Sequence, residues 1–175
     1  YERTAELPEL VALRPATENG PFRASLELEY RFKDSHIVQS VSLWSNSPRL
    51  EFHTRLDWRD RRYLLKTRFK LNVSSDVATH ECPFGVVRRS THSNTRWDAA
   101  RFETPAHRFV DLSEHDYGVA LLNNGRYGHR IECDSIELSL LRSPVWPDYR
   151  ADEGEQTVAY ALLPHSGTWQ EAGVL

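Results

Sequence analysis

The chain has 175 residues with 22 basic and 25 acidic side chains, a formal charge of −3. That length makes one domain the expectation and lets about 70% of the unfolded surface be buried, so no metal or disulfide staple is needed. Its 39% hydrophobic and 27% charged residues exclude a disordered or fibrous chain, and its pI near 6.3 argues against a nucleic-acid partner. No apolar run approaches the ~20 residues that cross a bilayer, so no membrane span is expected.

In chain order, the hydrophobic pattern has the two-residue period of strands. Over residues 25–33, Leu26, Leu28, Tyr30 and Phe32 alternate mostly with charged residues, which places them on one face of a sheet. Residues 37–44 follow, rich in β-branched and aromatic types. Leu50, Phe52, Thr54, Leu56 and Trp58 then alternate with Glu51, His53, Arg55 and Asp57. Tyr63, Leu65, Thr67 and Phe69 repeat the pattern. Later strands are predicted around Tyr117, Val119 and Leu121, around Ile136, Leu138 and Leu140, and around Val158, Tyr160 and Leu162.

Turn-forming clusters at 33–35, 45–48, 123–125 and 133–135 separate these runs. Asn124-Gly125 is a favoured dipeptide of the type I′ turn, whose central residues both take positive φ. It predicts a tight hairpin between a strand ending near Asn123 and one starting near Arg126. No long stretch carries a helical stripe. The expected class is all-β, an antiparallel sandwich or a large Greek-key assembly. Residues 143–155 break the rhythm with two prolines, a glycine and four carboxylates, and read as a long surface loop of the kind that is often functional.

The chain contains no methionine and begins Tyr1-Glu2-Arg3, so it is read as a piece of something longer. Only Lys33, Lys66 and Lys70 are lysines. Because the arginines are scattered along the chain, their excess is read as genome composition rather than selection for carboxylate pairing. Cys82 and Cys133 are too few for a disulfide scaffold, and free thiols in a reducing compartment are expected. Asn72-Val73-Ser74 fits a glycosylation acceptor, a pattern short enough to arise by chance.

Chemistry-bearing clusters are sparse. The histidines His36, His53, His80, His92, His107, His115, His129 and His165 form no His-x-x-x-His pair, and no Cys-x-x-Cys occurs. His80 and Cys82 share one side of a strand, which is weak support for a metal site; solvated or hydrogen-bonded histidines are the expectation. Carboxylates are paired at Asp57/Asp60, Glu114/Asp116 and Asp148/Asp152. A glycosidase needs two carboxyls flanking the scissile bond, and proximity in sequence does not supply that geometry. The run Asp57-Trp58-Arg59-Asp60-Arg61-Arg62 reads instead as a charged strand end with local ion pairs. Thr91-His92 and Ser113-Glu114-His115 put a hydroxyl near a base without the strained turn of an activated nucleophile. No glycine-rich phosphate loop is present, and the residues by themselves show no complete catalytic apparatus.

Several segments together resemble one family. They are Asp57-Trp58-Arg59-Asp60-Arg61 with Leu64-Leu65-Lys66, Cys82-Pro83-Phe84-Gly85-Val86, and Ser90-Thr91-His92-Ser93-Asn94-Thr95. Trp97-Asp98-Ala99-Ala100-Arg101-Phe102-Glu103 follows, then residues 105–114, Tyr117-Gly118-Val119-Ala120-Leu121-Leu122-Asn123 and Leu138-Ser139-Leu140-Leu141-Arg142-Ser143-Pro144. Their order and spacing are similar to the C-terminal part of glycoside hydrolase family 38, the α-mannosidases, in the bacterial and cytosolic subgroup, over residues 50–167. Phe109 stands where that family often has Trp, Asp60 where Glu is usual, and Gln156 where His often follows Gly-Glu.

The resemblance implies a β-sandwich similar to the galactose-mutarotase-like fold, with residues 1–175 a single segment cut at both ends from a larger C-terminal domain. It implies an accessory segment of a retaining, zinc-dependent α-mannosidase, catalytically silent alone. No catalytic residue and no metal ligand are assigned to this segment. Zinc and the aspartate nucleophile would reside in an N-terminal catalytic domain, which would be the partner, with a mannosyl oligosaccharide as substrate. Localisation is expected to be cytoplasmic, and homo-oligomer formation is left open. Arg142, Asp148 and Asp152 are the candidates for a substrate-proximal or interdomain position, because sugars are held by charged hydrogen bonds. The bland alternatives are a salt bridge for Arg142 with one of the two aspartates and a solvated loop for both of those. His107 and Asp111 are expected to be a structural polar pair. Two other functions fit. A non-hydrolytic carbohydrate-binding module would need an exposed aromatic platform from Trp44, Trp97, Trp146 and Trp169. A sugar isomerase would need His107 to converge with Glu103 or Asp111.

Overall fold

The computed structural model describes residues 5–17 and 19–174; Tyr1, where the missing start was read, and Leu175 lie outside them. The chain forms β1 (Glu9–Pro15), β2 (Arg23–Phe32), β3 (Ser35–Trp44), β4 (Leu50–Trp58), β5 (Leu64–Lys70), β6 (Val77–Cys82) and β7 (Gly85–Ser90). A one-turn helix α1 (Arg96–Ala99) precedes β8 (Thr104–Pro105), β9 (Phe109–Ser113), β10 (Tyr117–Asn123), β11 (Gly128–Glu132), β12 (Ser135–Arg142) and β13 (Gly154–Ser166). The predicted strands all form. β1, β7, β8 and β9 are additional, and β6 is expected only as the strand carrying His80 and Cys82; their patterns are too short or too interrupted to stand out in sequence.

Two antiparallel sheets face each other. The larger runs β1-β2-β3-β4-β13-β10-β9-β6-β7 and the smaller β5-β12-β11-β8. The inward residues Phe52, Leu56 and Trp58 of β4 meet Val158 and Tyr160 of β13, Val119 and Leu121 of β10, and Ile136 and Leu138 of β12. Phe52 and Tyr160 stack at 4.9 Å, and Phe32 and Trp58 at 5.6 Å. The Tyr160 hydroxyl accepts from Gln39 Nε2 at 2.8 Å, so its burial leaves no stranded polar atom. A bulge between Ser139 and Leu141 brings Leu141 inside together with Leu140, which strict alternation would have sent outward.

A second, smaller core lies on the outer face of the large sheet. There Phe109 and Ala120 are covered by Trp169, Ala172 and Val174 of the C-terminal segment. Strands β9 and β10 are thus apolar on both faces, as a central strand covered twice must be.

The hairpins at 33–34, 45–49 and 133–134 form where turn chemistry predicts them. The hairpin at Asn124-Gly125 does not. Only Gly125 has positive φ, and the strands on either side belong to different sheets: β10 pairs with β9 and β13, β11 with β8 and β12. Inward Leu121 and Ile131 need opposite walls of one core, so the turn serves as a crossover between sheets.

Candidate functional site

The loop predicted over residues 143–155 forms over 143–153, with Gly154 and Glu155 taken into β13, and it closes on itself. The backbone N–H of Arg142 donates to Asp152 Oδ2 at 3.1 Å, and that of Arg150 to Asp148 Oδ1 at 2.9 Å. Arg61 donates to Glu153 at 3.0 Å, and its guanidinium lies 4.1 Å from the centroid of the Tyr149 ring. Asp148 and Asp152 therefore satisfy loop backbone, and it is the Arg142 amide rather than its guanidinium that meets Asp152.

The expected pairing of His107 with Asp111 is corrected. Asp111 is buried, accepts from His165 Nε2 at 2.8 Å and from the Ser113 hydroxyl at 2.6 Å, and sits on the outer face of the large sheet. His107 precedes β9; its ring tilts against Tyr127 at 5.2 Å. The convergence a sugar isomerase would need is not formed either. Glu103 binds Lys66 at 2.7 Å and Ser139, on the outer face of the small sheet. Burial opposes ionisation of Glu103, but Lys66 and Ser139 outweigh it and hold its carboxyl below the usual range.

Among the candidate platform rings, Trp97 and Trp146 are 81% and 83% exposed, on α1 and on the long loop. Trp44 ends β3 and donates to Glu51, while Trp169 packs on Phe109. The four rings are dispersed over separate elements.

The polar concavity lies elsewhere, at the open edge of the sandwich where β6 and β7 face β8 and β11. Strand alternation turns His80, Arg89 and His129 inward there, and the segment carrying α1 closes the edge. The result is a cleft of about 260 Å³. His80 and His129 are almost wholly buried, and burial depresses both imidazoles to about 4. His80 Nε2 is 2.9 Å from the Thr104 hydroxyl, and His129 Nδ1 is 3.1 Å from the Tyr127 carbonyl. The Nε2 of His129 and the Nε of Arg89 are buried without a partner. Cys82, expected beside His80, is a free thiol at the strand end outside the cleft wall.

The carboxylates at the cleft already have cations or donors. Asp98 caps α1 with Thr95, and Glu132 takes Arg68 at 2.9 Å and also Arg130. Among the described residues, no three His, Cys, Asp or Glu side chains gather at metal-binding spacing. His129 was visible in sequence only as one of eight histidines; its inward register, set by pairing with Leu138, is a tertiary fact.

Comparison with known proteins follows from this fold. The class is an antiparallel two-sheet sandwich. It superposes on an α-mannosidase from Enterococcus faecalis V583 with a TM-score of 0.80 at 17% identity, over 94% of this chain and 23% of that one. Residues 10–150 match the Glycosyl hydrolases family 38 C-terminal domain, so the chain belongs to that family. It is 46% identical to Alpha-mannosidase 2C1 of Mus musculus over 142 residues, and 40% identical to Alpha-mannosidase G of Dictyostelium discoideum over 163 residues. These alignments cover 81% and 90% of this chain but only 14% and 15% of the relatives. The match begins at residue 10, so the kinship extends well before residue 50, where it first becomes legible by eye.

Proposed function

We propose that this chain is an accessory segment of an α-mannosidase, structural and interdomain in role and silent in hydrolysis by itself. The observation that carries the reading is the 46% identity over 142 residues to a protein of which those residues make up 14%. A module of that share belongs to a larger hydrolase that acts on terminal α-mannosyl residues. The zinc and the attacking carboxylate of a retaining mechanism are assigned to the remaining polypeptide, the N-terminal catalytic domain. The described residues of this chain do not fit a zinc site: His80 and His129 are two neutral imidazoles with no third ligand, and no step is routed through a metal here.

The inner face of the large sheet supports the interdomain role. The small sheet covers β4, β13, β10 and β9, and the core reaches Phe32 and Ile37 at one end of β2 and β3 but not the inward residues Leu13 of β1 and Leu26 of β2. Leu13 is 58% and Leu26 46% exposed although their register puts them on the core side. An apolar face of this kind marks an interaction surface.

An aryl α-mannoside assay tests the reading. The full-length protein is expected to turn over and the 175-residue chain to show no rate above buffer. Turnover by the chain alone overturns the assignment.

A further inference from the structure

We propose that the edge cleft between β7 and β8 binds a neutral polyhydroxylated ring, one pyranose unit, through His129, Arg89 and Phe102. The inference rests on the cleft alone and not on the hydrolytic activity of the parent protein.

The donor and acceptor pattern selects the ligand. The Tyr127 carbonyl only accepts, so His129 Nδ1 carries the proton and donates to it, which leaves Nε2 as a bare acceptor. The unpartnered Nε of Arg89 is a donor that cannot be anything else. A ligand that fills both needs must offer a hydrogen and a lone pair from neighbouring groups, which is what vicinal hydroxyls do. A fully deprotonated oxyanion such as sulfate offers lone pairs only and would set acceptor against acceptor at His129. Burial keeps that imidazole neutral down to about pH 4, so protonation does not relieve the conflict at ordinary pH.

Size and lining agree. A cleft of 260 Å³ holds about eight or nine waters at ~30 Å³ each, the space of a single sugar ring and not of an extended glycan. Phe102, 60% exposed, and Ile131 give the wall an apolar surface for the C–H face of the ring. The rest of the lining is mostly polar, with Ser90, Thr91, Ser93 and Thr104 among it, so hydroxyl partners surround this one apolar patch. The negative charges of Asp98 and Glu132 sit on their own donors and share the lining with Arg89, Arg101 and Arg130, so the charges largely offset and the bare acceptor at His129 does the selecting.

The test is a titration of the 175-residue chain, followed through the imidazole resonances of His129. The probes are methyl α-D-mannoside, methyl α-D-glucoside and sulfate. Arg89→Leu and Phe102→Ala, an edge-strand and an exposed position, serve as variants whose folding is checked by their amide spectra. A glycoside is expected to shift the His129 signals saturably, each variant to weaken that binding about tenfold, and sulfate to leave the signals in place. Binding of sulfate in preference to both glycosides, no saturable shift with any probe, or glycoside binding insensitive to both variants overturns the proposal. None of these outcomes bears on turnover by the full-length protein, which the aryl mannoside assay measures separately.

Discussion

Asp111 is 3% exposed and has its oxygens divided between His165 and Ser113, beneath a glycine of the neighbouring strand. That glycine, Gly118, is where the residue scale is least forgiving. A Cβ built there would lie 2.7 Å from His165 Cε1 and 2.8 Å from Ser113 Cβ, closer than real Cβ atoms approach. Both neighbours are stiff, since Ser113 is short and His165 is held by Asp111. Gly118→Ala is expected to break the Ser113–Asp111–His165 arrangement and to cost about 1–3 kcal/mol, read as a lower denaturant midpoint. An unchanged midpoint would show that the cluster is not rigid. The sequence named Asp111 as structural but gave it the wrong partner. His165 lies 54 positions away, and only the pairing of Gly118 with both Ser113 and His165 brings them together.

At the scale of the element, β6 and β11 each bury one imidazole at the open edge of the sandwich. An unfolded histidine titrates near 6.5, whereas burial lowers His80 and His129 to about 4. Between these values the unfolded chain binds more protons than the folded one, so stability is full above about pH 6.5 and falls as pH drops towards 4. The loss is on the order of 3 kcal/mol for each imidazole, since one pH unit of displacement is about 1.4 kcal/mol. Urea midpoints measured from pH 7.5 to 4 are expected to decline through this window, and His129→Gln to flatten the profile. A level profile in the unmodified chain would contradict the burial of both rings. The turn after β10 belongs to the same scale. Asn124-Gly125 has the chemistry of a hairpin, yet the need to wall both sides of one core sends β11 to the other sheet. Local turn preference is worth less than burying Leu121, Ile131, Ile136 and Leu138 together.

At the scale of the whole molecule, a nine-stranded sheet faces one of four strands, and the mismatch leaves inward Leu13 of β1 and Leu26 of β2 exposed while Phe32 and Ile37 still join the core. The doubly substituted Leu13→Glu, Leu26→Glu chain is expected to keep the denaturant midpoint of the 175-residue chain within about 0.5 kcal/mol, because exposed side chains contribute little. In the full-length protein the same pair is expected to lower the melting temperature by several degrees, since burying an unpaired charge is costly. Equal effects in both would mean that nothing further covers the face.

The sequence by itself determined the all-β class, most of the strands and turns, and the family. These follow from side-chain alternation, from Gly, Pro and Asn chemistry, and from residue order, all of which are local or linear properties. It also marked residues 143–155 as a loop, because prolines are excluded from sheet interiors wherever they fall, and the structure ends that loop at 153. Only the tertiary structure decided which strands share a sheet, that Asp111 meets His165, and that Arg142 offers its amide to Asp152 rather than its charge. It alone placed Arg89, His80 and His129 around one cleft, from strands separated by up to 49 positions. Register between distant strands is set by the joint packing of two faces of a common core, and that condition is not written in any one segment.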